Sequence, residues 1–305
     1  MMKILTFLWL SLFSFYCAAN TDTTAIKKHL KSITKTASYR NPENLNQLNA
    51  IADYIKKDFL KYSGKVSFQE YKVEGKTYKN VVCSFGTENQ QRIIVGAHYD
   101  VCGDQEGADD NASGVVGLLE LARLLKGQKL NKRIDLVAFT LEEPPYFRTE
   151  HMGSYVHAKS LKNNKVDVLG MISVEMIGYF SDKENSQNYP VAAMSKMYGN
   201  KGDYITLVST NEKGKFVEEF SQHFKQAKAV KTEEFNAPRS LPGIDFSDHL
   251  NYWDFGYSAM MITDTSFYRN KNYHKKTDTM ETLDIRRMAK VIDGIYIALL
   301  KLTKK

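Results

Sequence analysis

The chain has 305 residues, 43% of them hydrophobic, enough to build a real core in one large domain or two small ones. Its net charge of +7 comes from lysines scattered along the chain, such as Lys27, Lys28, Lys31, Lys56 and Lys57. No dense basic block interleaved with aromatics occurs, which argues against a nucleic-acid partner.

The first nineteen residues read as a signal peptide. Lys3 is a short basic start, Ile4 to Tyr16 is an apolar run of thirteen residues, and Cys17-Ala18-Ala19 offers small residues for cleavage. A membrane-spanning helix needs about 20 apolar residues, so the run is too short to span. The expectation is a secreted or periplasmic protein with no stable membrane insertion after cleavage; a lipid anchor through Cys17 is the alternative. Cleavage leaves Cys83 and Cys102, which can pair outside the cytoplasm or stay as separate thiols.

Residues 20–305 read as a single domain. From Thr24 to Tyr62, Leu45, Leu48, Ile51, Ile55 and Leu60 recur at helical spacing, predicting two amphipathic helices broken at Asn41-Pro42-Glu43. Short β-like pieces follow at Lys65–Tyr71 and Tyr78–Phe85, and the loop 86–91 suggests that the second forms a hairpin with Arg92–His98. Ala112–Lys126 reads as a buried helix, Ile134–Leu141 as an apolar strand and Gly153–Leu161 as a helix. Strands at Met171–Gly178, Asp203–Ser209 and Ser258–Thr263 alternate with helices at Lys215–Ala229 and Ile285–Leu302. The polar stretch 181–203 reads as a surface insertion. Apolar strands alternating with helices predict an α/β fold: a three-layer α/β/α sandwich around a mixed, mostly parallel sheet.

The chemistry collects at strand ends. Gly96–Gly114, GAHYDVCGDQEGADDNASG, holds a His, four Asp and a Glu in nineteen residues, directly after an apolar strand. His98 and Asp100 end that strand, Glu142 and Glu143 end the next, Glu175 lies near the end of a third, and His274 follows a fourth. Open α/β sheets bind ligands outside the carboxyl ends of their strands, so these groups converge on one edge. A hydrolytic paired-metal site uses four to five N and O ligands, with one carboxylate bridging ions about 3.5–4 Å apart. His98 and Asp109 are read as its first two ligands, with Asp109 the bridge. Asp100, two residues after His98, is placed to hold the imidazole in one tautomer. Of Glu142 and Glu143, one ligates and the other shuttles a proton. Asp110 and Asn111 read as caps of the helix starting near Ala112. His29 and His223 read as surface residues. His249, in the Ser247-Asp248-His249 triplet, is expected at the substrate cleft with Asp248, whereas Tyr146 and Phe147 fit either the cleft or ordinary packing.

GAHYD, GADDNASG, LEE after an apolar strand, MISVEMIG, SDHLNYW and YHKKTDTMETLD together resemble the secreted di-zinc aminopeptidase family of zinc exopeptidases. That family includes the bacterial leucyl aminopeptidases and the glutamate carboxypeptidase relatives. The resemblance runs from about Asn80 to Leu299 and implies zinc, two ions per chain, held by His98, Asp109, Glu143, Glu175 and His274. It implies Glu142 as the general base and Tyr273 as a hydrogen-bond donor to the tetrahedral oxyanion. The family's usual third-strand ligand is aspartate, so Glu175 is a departure. The implied activity is an aminopeptidase acting on peptides with a free N-terminus. The alternatives are a single-zinc glutaminyl cyclase, a carboxypeptidase or dipeptidase of the same fold, and a non-catalytic binding domain.

Overall fold

The computed structural model describes residues 20–212 and 214–303. The signal-peptide expectation and Cys17 lie outside these residues. Two amphipathic helices open the described chain, α1 (Thr23–Thr34) and α2 (Leu45–Phe59). The carboxylate of Asp22 accepts from the Thr24 and Ala25 N–H groups, and the Asn44 side chain accepts from Gln47 N–H. Both supply acceptors that the first helical turn lacks.

Next come β1 (Val66–Val73), β2 (Lys76–Phe85), β3 (Arg92–His98), α3 (Gly114–Leu125), β4 (Arg133–Phe139), α4 (Gly153–Asn163) and β5 (Val168–Glu175). The chain continues through α5 (Ser195–Tyr198), β6 (Ile205–Ser209), α6 (Gly214–Ala227), β7 (Thr232–Asn236), α7 (His249–Asp254), β8 (Ala259–Thr263) and α8 (Ile285–Thr303). Eight strands form one sheet in the order β1-β2-β4-β3-β5-β8-β6-β7. Its centre, β4-β3-β5-β8, is parallel; β1, β2 and the β6-β7 pair join it through antiparallel contacts.

Burial on both faces explains the runs of Val, Ile and Leu in the central strands. Ile93 and Val95 pack into the large core beneath α1, α2, α3, α6 and α8, while Ile94 packs on the other side against Ala158 and Leu161 of α4 and Tyr252 of α7. Helix α3 is apolar around most of its surface, with Val115, Leu118, Leu119 and Leu121 fully buried. Truncating one such leucine to alanine costs about 2–5 kcal/mol.

The hairpin expected between Tyr78–Phe85 and Arg92–His98 does not form. Strand β2 pairs instead with β1, through the two-residue turn Glu74-Gly75, and with β4 on its other side. Both turn residues have positive φ, which suits a tight hairpin. Strand β3 is buried almost throughout and takes the central slot between β4 and β5. Loop 86–91 therefore carries the chain past β4 rather than folding it back on β2.

The insertion at 181–203 closes at its base through a Ser181–Gly202 bridge and carries α5. It is more than surface decoration, because it walls a cleft described below. No helix of the described residues is long and apolar enough to cross a membrane. Cys83 is buried in the core on β2 and Cys102 is half-buried after β3; both thiols are free.

Candidate metal centre

The parallel strands β3, β4 and β5 deliver His98, the Glu142-Glu143 pair and Glu175 to one edge of the sheet, and the loop after β8 brings His274 there. The fifth member is Asp110. One of its carboxylate oxygens lies 3.3 Å from His98 Nε2 and the other 3.1 Å from His274 Nε2. Glu175 approaches the same His98 nitrogen at 3.4 Å, and Glu143 approaches the same His274 nitrogen at 3.1 Å. Two half-sets result, His98-Glu175 and His274-Glu143, each touching a different oxygen of Asp110.

Asp109, read from the sequence as the bridge, is not in this cluster. Its oxygens accept from Gly178 N–H at 3.0 Å and from Asn270 Nδ2 at 2.7 Å, which ties it into the scaffold. Between Ala108 and Ser113 the backbone leaves helical geometry at Asp110 (φ −99°, ψ 97°) and Asn111 (φ −124°, ψ 41°). The backbone changes direction immediately after Asp109, and of the two neighbouring aspartates only Asp110 faces the histidines. Asp278 holds this stretch of backbone: its carboxylate accepts the N–H groups of both Asp109 and Asp110 at 3.0 Å. Asp110 thus caps nothing, contrary to the sequence reading. Asn111 does: its side-chain oxygen accepts from Gly114 N–H at 3.0 Å, and its amide donates to Glu175 at 3.1 Å.

The glycines of GADDNASG have separate reasons. Gly107 has φ of 55°, and a Cβ there would lie 2.2 Å from the Asp110 carbonyl oxygen. A Cβ on Gly114 would lie 2.3 Å from the Val174 carbonyl oxygen. The loop therefore lies hard against β5, which brings Asn111 to Glu175.

Asp100 accepts the N–H groups of Glu142 and Glu143, at 3.2 and 3.1 Å, and so fixes the turn that presents both carboxylates. It faces His98 Nδ1 at 3.6 Å, beyond hydrogen-bond length. Glu142 stands 3.9 Å from His98 Nε2 and belongs to neither half-set. Glu175 is held by Asn111 and by the Ser247 hydroxyl, at 2.8 Å. The Tyr273 ring stacks on His274 at 3.8 Å and lines the cleft.

Other sequence readings do not survive. His249 is fully buried; its Nε2 bonds the Ile244 carbonyl at 2.7 Å and its ring meets Trp253 edge-on, so it supports the fold away from the cleft. Asp248 is also fully buried, behind the cluster, and does not line the cleft. Tyr146 packs between Tyr78 and His151, whereas its neighbour Phe147 lines the cleft. His29, expected on the surface, is buried against the Tyr54 hydroxyl at 2.7 Å.

Two residues escaped the sequence reading. Asp278 is one. Arg40 is the other: it is 2% exposed and donates to the carbonyls of Tyr99, Glu106 and Gly107, clamping the metal loop from behind. Arg40 has no periodic or compositional signal; Asp278 lies within YHKKTDTMETLD, but its contact is with a distant segment that no spacing reveals.

The electrostatics call for a cation. Burial pushes the Glu143 carboxyl up to about 8, with Asp110 adding to the rise. Burial also raises Glu142 well above the usual carboxylate range. His274 is driven up to about 10: burial opposes its charge, but Asp110 and Glu143 outweigh it. His98 Nε2, His274 Nε2, one Asp110 oxygen and one Glu143 oxygen are buried without a hydrogen-bond partner among the described residues. Buried polar atoms are rarely left unpaired, and carboxylates this crowded need positive charge between them. Imidazoles mixed with carboxylates suit zinc. The residues fit a metal. Cys102 also comes near Glu143 and His274, and burial raises its thiol to about 11 in the metal-free chain.

Beside the cluster opens a cleft of about 250 Å³, walled by the insertion, by Phe147 and by the segments around Ile244 and Phe267. Residues 80–298 match peptidase family M28. The chain is 43% identical to the uncharacterized protein YfbL of Escherichia coli K12, over 90% of this chain and 86% of that protein. It is 26% identical to a probable leucine aminopeptidase of Trichophyton verrucosum, over 86% and 68% of the two chains. Among solved structures, the LapA aminopeptidase of Legionella pneumophila superposes with a TM-score of 0.73 at 18% identity, covering 93% of this chain and 73% of that one. A Bacteroides thetaiotaomicron glutaminyl cyclase gives 0.70 at 18%, covering 92% and 98%. The chain belongs to peptidase family M28, and is a metallo-exopeptidase of the zinc aminopeptidase type.

Proposed function

We propose that this protein is a secreted aminopeptidase that uses two zinc ions to release the N-terminal residue of peptides. The observation that carries the reading is Asp110, whose two oxygens face two separate imidazoles, each paired with its own glutamate. One ion would be held by His98, Glu175 and Asp110, and the second by His274, Glu143 and Asp110. Zinc in such a pair supplies Lewis-acid activation of water and of the scissile carbonyl.

The chain's own groups supply the rest. Glu142 lies beside the cluster without completing either half-set, 3.9 Å from His98 Nε2, where its carboxylate can take a proton from water and hand it to the leaving amine. Asp100 positions that glutamate through its backbone N–H and faces the far side of the His98 ring. Tyr273 is kept neutral by burial, so its hydroxyl can donate to a developing oxyanion at the cleft wall. A leader at residues 1–19 would deliver the chain out of the cytoplasm.

The test is hydrolysis of aminoacyl-anilides by purified, zinc-loaded protein. Failure across common side chains, with metal demonstrably bound, defeats the reading. A single-zinc glutaminyl cyclase is the second reading, since the Bacteroides cyclase shares the fold, as does a Bacteroides leucine aminopeptidase precursor with the same coverage. One metal per chain together with cyclisation of N-terminal glutamine would establish it instead.

A further inference from the structure

The cleft continues away from the metal cluster along one row of the sheet. Glu175 on β5 pairs with Thr263 on β8, Thr263 with Thr206 on β6, and Thr206 with Glu233 on β7. Residues paired across neighbouring strands point to the same face, and all four line the cleft. Three strand spacings separate Glu175 from Glu233, roughly 14 Å. The next row on that face, Met261-Val208-Phe235, is apolar. The passage therefore has an apolar floor, the metal cluster at one end and a carboxylate at the other.

The walls near Glu233 are aromatic. Tyr189 and Tyr198 from the insertion stack at 6.1 Å, and Tyr198 meets Phe235 edge-on at 6.1 Å. Glu233 is half-buried, and among the described residues no cation pairs with it. Two cations of this region are held by other groups: Lys231 by Asp203 at 2.7 Å, and Arg269, through Nε and Nη1, by Gln187 and the carbonyls of Tyr179 and Tyr204, with its Nη2 unpaired among the described residues. Glu234, its neighbour, turns to the opposite face and pairs with Lys225. The Thr206 hydroxyl, 5% exposed, has no hydrogen-bond partner among the described residues. A buried hydroxyl left unpaired in a cleft wall is a place for a ligand's polar group.

We propose that this passage receives the side chain of the substrate's N-terminal residue and selects lysine or arginine. This rests on the aminopeptidase reading. With the scissile bond at the metal cluster, the aliphatic stem of a basic side chain lies over Met261, Val208 and Phe235. Its charged head then reaches Glu233 and Thr206, beside the stacked pair Tyr189 and Tyr198. The substrate's own α-amine cannot be Glu233's partner, because it must stay next to the scissile bond at the far end. Leucine or methionine fills the apolar part but leaves the carboxylate and the hydroxyl unpaired.

The test compares kcat/KM on lysyl-, arginyl-, leucyl- and methionyl-anilides, using zinc-loaded wild type, Glu233→Gln and Glu233→Lys, with metal content and melting temperature measured for each. Wild type is expected to favour the basic substrates. The lysyl-to-leucyl ratio should fall about ten- to a hundredfold in Glu233→Gln, as for a partly desolvated ion pair, and further in Glu233→Lys. A ratio within twofold of wild type in both variants overturns the inference while leaving the aminopeptidase reading intact. So does a wild-type preference for leucine over lysine of tenfold or more. No cleavage of any anilide by metal-loaded protein overturns both.

Discussion

Asp109 and Asp110 are adjacent in the chain and face opposite ways. Asp109 is hydrogen-bonded into the scaffold by Gly178 and Asn270, and Asp110 projects between His98 and His274. Their substitutions should separate cleanly. On the two-zinc proposal, Asp110→Asn removes the shared carboxylate charge, so zinc content should fall to one ion or none, with activity lost. Asp109→Asn keeps one acceptor in place and should retain both ions while lowering the melting temperature. Zinc analysis of the two purified variants decides, and the reverse pattern would restore Asp109 as the bridge.

The Glu142-Glu143 pair should divide in the same way. Glu142→Gln is expected to keep its metal and lose about 10²–10⁴ in turnover, the usual worth of a positioned proton shuttle. Glu143→Gln, whose parent lies 3.1 Å from His274 Nε2, should weaken the metal on that side. Unchanged turnover in Glu142→Gln removes that residue from the mechanism.

How much of this was legible in sequence follows from range. His98, Glu142, Glu143, Glu175 and His274 could be gathered on one edge because the strands that carry them are continuous apolar runs, and strand ends in such sheets converge. Choosing between Asp109 and Asp110 was beyond the sequence, since that depends on local backbone geometry, which Asp278 holds from far along the chain. Arg40 was invisible for the same reason. His249 misled through its neighbourhood: Ser247 does reach Glu175, but the following turn carries His249 into the fold. Strand β7 went unread because Thr-Glu-Glu-Phe-Asn is a polar edge strand, recognisable only once β6 is beside it.

Zinc binding should release protons. In the metal-free chain His274 and Glu143, raised to about 10 and about 8, hold protons at neutral pH, and a ligand must give its proton up. Affinity should therefore rise with pH, by about tenfold per unit for each proton released, between pH 6 and 8. Titration calorimetry in buffers of different ionisation enthalpy counts the protons directly. A pH-independent affinity with no proton release would contradict the raised values.

Away from the metal, His157 gives a stability prediction. It is buried against the Tyr252 hydroxyl at 2.7 Å, and burial lowers its pKa from 6.5 to about 4. The folded state favours the neutral ring, so the unfolded chain binds the extra proton between these values. Its contribution is fully present above pH 6.5 and is lost as pH falls towards 4, by roughly 3 kcal/mol at most. Denaturant titrations of wild type and His157→Asn should show wild type losing stability relative to the variant across that window. Parallel pH profiles would refute the assignment.

Glu175 offers the sharpest test of how the site is supported. The family resemblance leads one to expect aspartate here, yet the longer carboxylate reaches both the Asn111 amide and the Ser247 hydroxyl, with His98 Nε2 at 3.4 Å. Shortening it by one methylene in Glu175→Asp withdraws the carboxylate from groups whose own positions are fixed: Asn111 by Met176 and Gly114, Ser247 by Ser173. Loss of such supporting hydrogen bonds typically costs about 10- to 100-fold in metal affinity. The expected result is weaker zinc at the His98 half-set and unchanged zinc at the His274 half-set, seen as two separated steps in a chelator titration. Restoring the family's aspartate should therefore weaken this site, because its supporting residues are set for glutamate.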